Sequence, residues 1–267
     1  MTSRESVTVD GLRIAYSRVG DGPLALLLHG GLADHREWEA QLELADELTL
    51  VVWDAPGCGG SDDPPASFRM DDYAALLTAF VDAAGLGRPH VVGLSFGATL
   101  ALALARHSPS LPRTLVLASP YAGWAGSLSP ETVAERLQSG LRALDRGPAA
   151  LAEDFLETLF GPDVDPQVVA RTSAMLMDVR TEGARTMLRA MAECDLREAL
   201  GRVSTPTLVI HGTEDVRAPE PVAQAIYEAI PGAVLVALPG VGHQCNVEAP
   251  AEFNTTLRTF LRVANGG

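Results

Sequence analysis

The pentapeptide Gly93-Leu94-Ser95-Phe96-Gly97 is the segment of this chain that most clearly suggests a catalytic residue. It follows the strand-like run 90–92 and precedes the helix-like run 98–104, so a serine lies at a tight turn between a strand and a helix. The flanking glycines lack the side chains that would crowd such a turn. At a helix N-terminus, backbone N–H groups favour developing negative charge. We therefore predict that Ser95 is a nucleophile.

A serine hydroxyl is a poor nucleophile until a base removes its proton, and the chain offers a base and an acid downstream. Asp215 comes just after the strand-like run 207–210, and His243 follows the strand-like run 234–238. We predict that His243 is the general base and that Asp215 orients it. Glu214 is the alternative acid.

The elements that must position these residues alternate between strand and helix patterns. The apolar run 24–28 is typical of a strand covered on both faces, whereas 70–84 carries apolar residues at helical spacing. This alternation predicts an α/β fold with a mostly parallel twisted sheet and helices on both faces. After Pro120 the alternation stops, and only helical periodicity is present as far as about residue 203.

The order of these residues along the chain, with the strand-to-helix serine first, the acid second and the histidine third, resembles that of the α/β-hydrolases. The resemblance extends from about residue 7 to residue 261. It implies the α/β-hydrolase fold, with a helical cap inserted after the sixth strand. Residues 1–120 and 204–267 would then form the two parts of the core, and 121–203 the cap.

An oxyanion hole needs two backbone N–H groups aimed at the developing alkoxide. The Phe96 amide, immediately after the nucleophile, should be one of them. The second should come from the segment His29-Gly30-Gly31-Leu32, and the resemblance implies that it is Gly31.

Four residues are candidates for substrate contact. Tyr121 and Trp124 stand at the entry to the predicted cap, and Leu32 and Val216 lie in core loops near the predicted oxyanion and acid residues. Other apolar cap residues, including Phe155, Met187 and Met191, either line a pocket or pack the cap against itself, and we favour packing.

The segments 178–183 and 243–248 are similar to 3-oxoadipate enol-lactonases and related esterases. The resemblance implies a cofactor-free hydrolase that cleaves a small carboxylic ester or lactone through an acyl-enzyme. The same triad also serves C–C bond hydrolases and cofactor-free perhydrolases. A non-enzymatic alternative is a small-molecule receptor that retains the triad.

The composition argues against several classes of binding partner and of catalytic group. The formal net charge of -14 argues against nucleic acids and anionic membranes. All 20 basic residues are arginines, which excludes a Schiff-base lysine and a P-loop lysine. The three dispersed cysteines predict neither a disulfide scaffold nor a metal site. With no signal peptide pattern and no membrane-length apolar run, we expect a cytoplasmic enzyme of undetermined oligomeric state.

Overall fold

The computed structural model describes residues 4–264. The strands are β1 Arg4–Val9, β2 Leu12–Val19, β3 Leu24–Leu28, β4 Thr49–Trp53, β5 His90–Leu94, β6 Thr114–Ala118, β7 Thr207–Gly212 and β8 Val234–Leu238. A 3₁₀ helix spans His35–Asp46, and the α-helices are α1 Met70–Ala83, α2 Phe96–His107, α3 Pro130–Arg146, α4 Pro148–Leu156, α5 Pro166–Met177, α6 Thr181–Glu193, α7 Arg197–Leu200, α8 Glu220–Ala229, α9 Cys245–Glu248 and α10 Pro250–Ala264.

The strands form one sheet in the order β1-β2-β4-β3-β5-β6-β7-β8. Strand β2 pairs antiparallel with both β1 and β4, and the pairs from β4 to β8 are parallel. Asp10 and Gly11 form the β1–β2 turn, both with positive φ, as an Asp-Gly pair between strand patterns predicts. The mostly parallel α/β sheet predicted from the alternating pattern is confirmed.

Helices cover both faces of the sheet because side chains alternate along each buried strand. In β3, Leu26 and Leu28 belong to the apolar cluster that includes α1 and α2. Leu27 belongs to the opposite cluster, together with Trp38 of the 3₁₀ helix and Phe253 of α10. The Trp38 and Phe253 rings lie 6.2 Å apart. This double burial explains why the central strands read as uninterrupted apolar runs.

Helices α3 to α7 all lie between β6 and β7 in the chain, as the helical periodicity predicted. The parallel strands on either side of this helical segment end at one edge of the sheet, and α/β proteins bind ligands at that edge. The loops after β5, β7 and β8 carry Ser95, Asp215 and His243. Within residues 4–264, no helix has the length and apolar character needed to cross a membrane.

Candidate active site

Ser95 lies at the turn between β5 and α2 with φ 51° and ψ -105°, a strained conformation for a residue with a side chain. Glycines make the turn possible. A Cβ atom at Gly93 would overlap the carbonyl group of Gly97, and one at Gly97 would overlap the carbonyl group of Leu28. The Ser95 amide donates to the Ala118 carbonyl oxygen at 2.9 Å, so the turn is fixed against β6.

A chain of hydrogen bonds joins Ser95, His243 and Asp215. His243 Nε2 lies 2.9 Å from Ser95 Oγ, and His243 Nδ1 lies 2.8 Å from Asp215 Oδ2. The histidine and the aspartate are buried, whereas Ser95 is half-buried. The fold thus brings together the three residues singled out by sequence, in the order that a proton relay from a serine hydroxyl to a base requires.

Asp215 is held as an anion by several donors. Burial by itself raises its pKa, but the His243 charge and hydrogen bond, with the amides of Ala218 and Arg217, outweigh burial and lower the pKa below its usual value. Asp215 Oδ1 accepts both amides, at 2.8 Å from Ala218 N and 2.9 Å from Arg217 N. The other oxygen therefore remains aimed at His243. The alternative acid, Glu214, is exposed.

The His243 loop is anchored from two sides. Ser119, with φ 44° after β6, donates its hydroxyl to the His243 carbonyl oxygen at 2.7 Å. The His243 amide donates to the carbonyl oxygen of Leu159, in the helical segment, at 2.8 Å. Both the core and the helical segment thus fix the position of the histidine.

Gly31 and Phe96, the two candidates for the oxyanion hole, line the same cavity as Ser95. Phe96 is the first residue of α2, and the first N–H groups of a helix have no intrahelical acceptor. A Cβ atom on Gly31 would lie 3.7 Å from Phe96 Cβ, so the two residues are neighbours. The Gly30 amide is engaged by Glu37 Oε2 at 2.6 Å. Among the hydrogen bonds of residues 4–264, the Gly31 amide has no acceptor.

A cavity of about 40 Å³ opens beside Ser95 and His243. Its wall is mainly apolar and includes Leu32, Tyr121, Trp124, Phe155, Met187 and Met191. The Tyr121 ring lies 6.1 Å from the His243 ring. Leu32, Tyr121 and Trp124, which we predicted to contact substrate, therefore line the cavity that contains the serine.

The structure does not bring the fourth candidate, Val216, to this cavity. Its side chain is 62% exposed and lines a separate, outer cavity of about 190 Å³. In the loop after Asp215 it is Arg217 that turns towards the serine. Sequence spacing cannot resolve which of two adjacent loop residues faces inward.

Phe155, Met187 and Met191 also depart from the favoured interpretation, in which they only pack the helical segment against itself. All three line the cavity beside Ser95, and the two methionines are almost fully buried. Helical periodicity places them on the buried face of α4 or α6 but does not say what that face covers.

Comparison with known proteins identifies the fold family. Residues 25–256 match the model of the alpha/beta hydrolase family. The chain belongs to the alpha/beta hydrolases. It is 30% identical to pyrrolizixenacetamide deacetylase of Xenorhabdus hominickii over 264 residues, which is 96% of this chain and 97% of that protein.

Two solved structures are similar to this chain over almost its whole length. A thermophilic esterase from Thermogutta terrifontis, solved with malate bound, has a TM-score of 0.90 and 29% identity, covering 98% of this chain and 99% of the other. The enol-lactonase from Burkholderia xenovorans LB400 has a TM-score of 0.89 and 26% identity, covering 97% and 100%. The protein is therefore a hydrolase enzyme, and the resemblance to esterases and lactonases is confirmed.

Two charged residues that the sequence did not predict, Glu37 and Arg217, also line the cavity beside Ser95. Glu37 is 3% exposed, and burial raises its pKa to about 8 although the Gly30 amide opposes this effect. Its Oε1 accepts a hydrogen bond from Gln244 Nε2 at 3.2 Å. Glu37 thus links the Gly30 loop to the residue after His243. A glutamate within an amphipathic helix gives no signal of this role.

A cluster of possible metal ligands, Asp34, His35 and Asp54, lies outside this cavity, and their ligand atoms are within 4.8 Å of one another. Both carboxylates already accept hydrogen bonds from protein groups. Asp54 pairs with Arg4 and accepts from His35 Nδ1 at 2.9 Å, while Asp34 pairs with Arg36 at 2.7 Å. We interpret the cluster as a hydrogen-bonded hub that fixes the loop after β4.

Proposed function

We propose that this alpha/beta hydrolase cleaves a small carboxylic ester or lactone through an acyl-enzyme, with Ser95, His243 and Asp215 as its catalytic triad. The observation that carries the proposal is the pair of hydrogen bonds on His243, 2.9 Å to Ser95 Oγ and 2.8 Å to Asp215 Oδ2. A nucleophile within hydrogen-bond reach of a base, itself oriented by a third group, is the arrangement that activates a serine hydroxyl.

In the first half of the reaction, Ser95 Oγ attacks the substrate carbonyl carbon while His243 Nε2 takes the hydroxyl proton. The tetrahedral intermediate collapses, the bond to the leaving oxygen breaks, and His243 returns the proton to that oxygen. In the second half, a water molecule loses a proton to His243 and attacks the acyl-enzyme. The product acid leaves, and Ser95 regains its proton. Every step uses groups of the protein or water, so the mechanism requires no metal or cofactor.

The amides of Gly31 and Phe96 are assigned as the oxyanion hole. The position of both residues in the wall of the cavity that contains Ser95 supports this assignment, as does the engagement of the Gly30 amide by Glu37. Each such donor is worth about 3 kcal/mol in the transition state. Asp215, with its lowered pKa, would stabilise the imidazolium that forms on His243 in each half-reaction.

Residues 121–203 are assigned as a cap that selects the substrate. Tyr121, Trp124, Phe155 and Met187 come from this segment and line the cavity. Since the space beside Ser95 is only about 40 Å³, the acyl group should be short. The activities named for the related deacetylase, esterase and enol-lactonase all cleave an acyl–heteroatom bond, which favours acyl transfer over C–C bond hydrolysis.

The test is steady-state hydrolysis of p-nitrophenyl esters of graded acyl length, next to a panel of unsubstituted lactones, by the wild type and Ser95→Ala. We expect the wild type to turn over the acetate or butyrate ester many times, and Ser95→Ala to lose on the order of 10⁴-fold or more in kcat. Circular dichroism should show that the variant remains folded. A metal chelator should leave the wild-type rate unchanged.

Two outcomes would overturn the proposal. Undiminished turnover by Ser95→Ala would exclude Ser95 as the nucleophile. Release of a single equivalent of p-nitrophenol by the wild type, with no further turnover on any ester or lactone, would instead favour the receptor alternative.

A further inference from the structure

Glu37 holds the segment that carries Gly31, the residue assigned as an oxyanion donor. It lies in the 3₁₀ helix and is buried, and its Oε2 accepts the Gly30 amide at 2.6 Å. A Cβ atom at Gly30 would lie 3.2 Å from Glu37 Oε1, so the carboxyl group packs directly against the Gly30 backbone. Glycine has more conformational freedom than any other residue. The Gly30-Gly31 pair therefore needs outside contacts to keep one conformation.

The peptide unit between Gly30 and Gly31 is held at its carbonyl oxygen. His29 Nε2 accepts the Ala55 amide at 2.9 Å, so the ring proton is on Nδ1, which donates to the Gly30 carbonyl oxygen at 2.7 Å. In a planar trans peptide, the carbonyl and the N–H point in opposite directions. The Gly31 N–H therefore points away from His29, and its exact direction depends on how Gly30 is held.

Gln244 continues the chain of hydrogen bonds from Glu37 to helix α5. Gln244 Nε2 donates to Glu37 Oε1 at 3.2 Å, and Gln244 Oε1 accepts from Thr172 Oγ1 at 3.2 Å. All three side chains are buried, where an unmade hydrogen bond is costly. Thr172 belongs to α5, and Gln244 directly follows His243. The chain thus joins α5 to the two loops that carry His243 and the Gly30 amide.

Glu37 and Gln244 also belong to the wall of the cavity beside Ser95. The Glu37 carbonyl oxygen accepts Asn246 Nδ2 at 2.9 Å, which secures this part of the 3₁₀ helix to α9. At pH 7 the Glu37 carboxyl group is neutral, because burial raises its pKa to about 8. It can therefore hold the Gly30 amide without placing a negative charge beside the developing alkoxide.

We propose that Glu37 is a positioning residue of the oxyanion hole, which fixes the direction of the Gly31 amide by holding Gly30. Thr172 supports this arrangement through Gln244, so the hole depends on the docking of α5. Donors to an oxyanion are effective only when they are already aimed at it, so a small rotation of the Gly31 peptide lowers the rate. The inference rests on the proposed function, because it takes the Gly31 amide as an oxyanion donor.

Steady-state kinetics on p-nitrophenyl acetate test the role of Glu37 in the reaction. Glu37→Met keeps the length of the side chain but removes the carboxyl oxygens, so kcat should fall by about 10- to 100-fold. KM should stay within about twofold, because both half-reactions form an oxyanion and slow together. Glu37→Gln still accepts the Gly30 amide, and Thr172→Val breaks only the far end of the chain. Each should lose about fivefold in kcat, as the loss of one neutral hydrogen bond predicts.

Inhibition by trifluoroacetone measures oxyanion binding apart from acyl transfer, because this ketone adds to a serine hydroxyl and forms a hemiketal oxyanion. The inhibition constant should rise in Glu37→Gln, Thr172→Val and Glu37→Met by about the same factors as kcat falls. A fall in kcat with no weakening of this inhibitor would overturn the inference. A kcat for Glu37→Met within about twofold of the wild type would overturn it as well.

Gln41→Met is the matched control, because Gln41 is a buried polar residue of the same 3₁₀ helix that lies outside the wall of the cavity. Its amide group donates to the Asn246 carbonyl oxygen at 2.9 Å, so the substitution should lower the free energy of unfolding in urea. Its kcat and its inhibition constant should equal those of the wild type. Equal losses of kcat in Gln41→Met and Glu37→Met would show a general structural effect and would overturn the specific role of Glu37.

Amide hydrogen exchange at Gly30 separates this inference from the proposed function, because it needs no substrate. It is followed by NMR on protein labelled with ¹⁵N-glycine, and the amide of Gly93 in β5 serves as the reference. The Gly30 rate relative to the Gly93 rate should rise at least about tenfold in Glu37→Met. Ester turnover and Gly30 exchange that are both unchanged in Glu37→Met would preserve the proposed function and refute the inference. A wild type that hydrolyses no ester or lactone, while Gly30 exchange still depends on Glu37, would refute the proposed function and leave the positioning of Gly30 by Glu37 standing.

Discussion

Replacing Glu37 by glutamine should make the protein more stable at neutral and alkaline pH. Glu37 is 3% exposed, and burial raises its pKa from the ordinary value of 4.5 to about 8. Between these pH values the unfolded chain releases the proton while the folded chain retains it. The folded state then binds more protons, so the free energy of unfolding falls as pH rises. Below pH 4.5 both states are protonated, and the penalty disappears.

The size of this effect follows from the two pKa values. Each pH unit between 4.5 and 8 costs about 1.4 kcal/mol, so ionisation of Glu37 costs the folded state about 5 kcal/mol in full. Glutamine has nearly the same shape, and its carbonyl oxygen can still accept the Gly30 amide that now donates to Glu37. Its NH2 group cannot accept the hydrogen bond from Gln244 Nε2, but that loss does not change with pH. The stability difference between Glu37→Gln and the wild type should therefore rise by about 4 kcal/mol from pH 5 to pH 8.

Equilibrium urea unfolding at pH 5, 6.5 and 8, followed by tryptophan fluorescence, measures this difference directly. Taking the difference between variant and wild type at each pH cancels the other titrating groups. Glu39→Gln is the control, because Glu39 is an exposed glutamate of the same 3₁₀ helix. A constant difference between Glu37→Gln and the wild type across this pH range would refute the reasoning.

Four further variants, which make three predictions, test the candidate site and the turn that supports it. Asp215→Asn should lose on the order of 10⁴-fold in kcat because the wrong His243 tautomer is favoured, whereas Glu214→Gln should stay near wild type; the opposite order in an esterase assay would move the acid to Glu214. Trp124→Ala should change relative kcat/KM across an acyl-length series by about 1–3 kcal/mol, and an unchanged profile would remove Trp124 from the pocket. Gly97→Ala should cost about 3 kcal/mol in urea unfolding, since its Cβ atom would overlap the Leu28 carbonyl group; wild-type stability would show that the turn can relax.

The sheet and the hydrogen-bonded chain at Ser95 could be predicted because their signals are local. Continuous apolar runs mark buried parallel strands, and the order of Ser95, Asp215 and His243 after successive strand patterns fixes which loops meet at the edge of the sheet. Neither inference requires knowledge of side-chain direction.

The wall of the cavity could not be predicted in the same way, because it depends on how the helical segment packs over the sheet. Periodicity identifies Met187 and Met191 as buried but cannot distinguish contact with another helix from contact with a cavity. Val216 was predicted to face the substrate, but Arg217 lines the cavity beside Ser95 instead. The sequence could not distinguish them, because a loop has no repeating pattern that assigns its residues to one side. The burial of Glu37 also depends on tertiary contacts, because its carboxylate accepts hydrogen bonds from the Gly30 amide and from Gln244 Nε2 in the folded chain.

The proposed function requires above all that Ser95 forms a covalent bond with the substrate carbonyl. Peptide mapping by mass spectrometry after reaction with a small p-nitrophenyl phosphonate tests this most directly, because the phosphonyl group stays on the attacking oxygen. We predict one adduct per chain, located on Ser95, strongly slowed labelling in His243→Ala, and no adduct in Ser95→Ala. An adduct on any other residue of the wild type, or equal labelling of Ser95→Ala, would contradict the account.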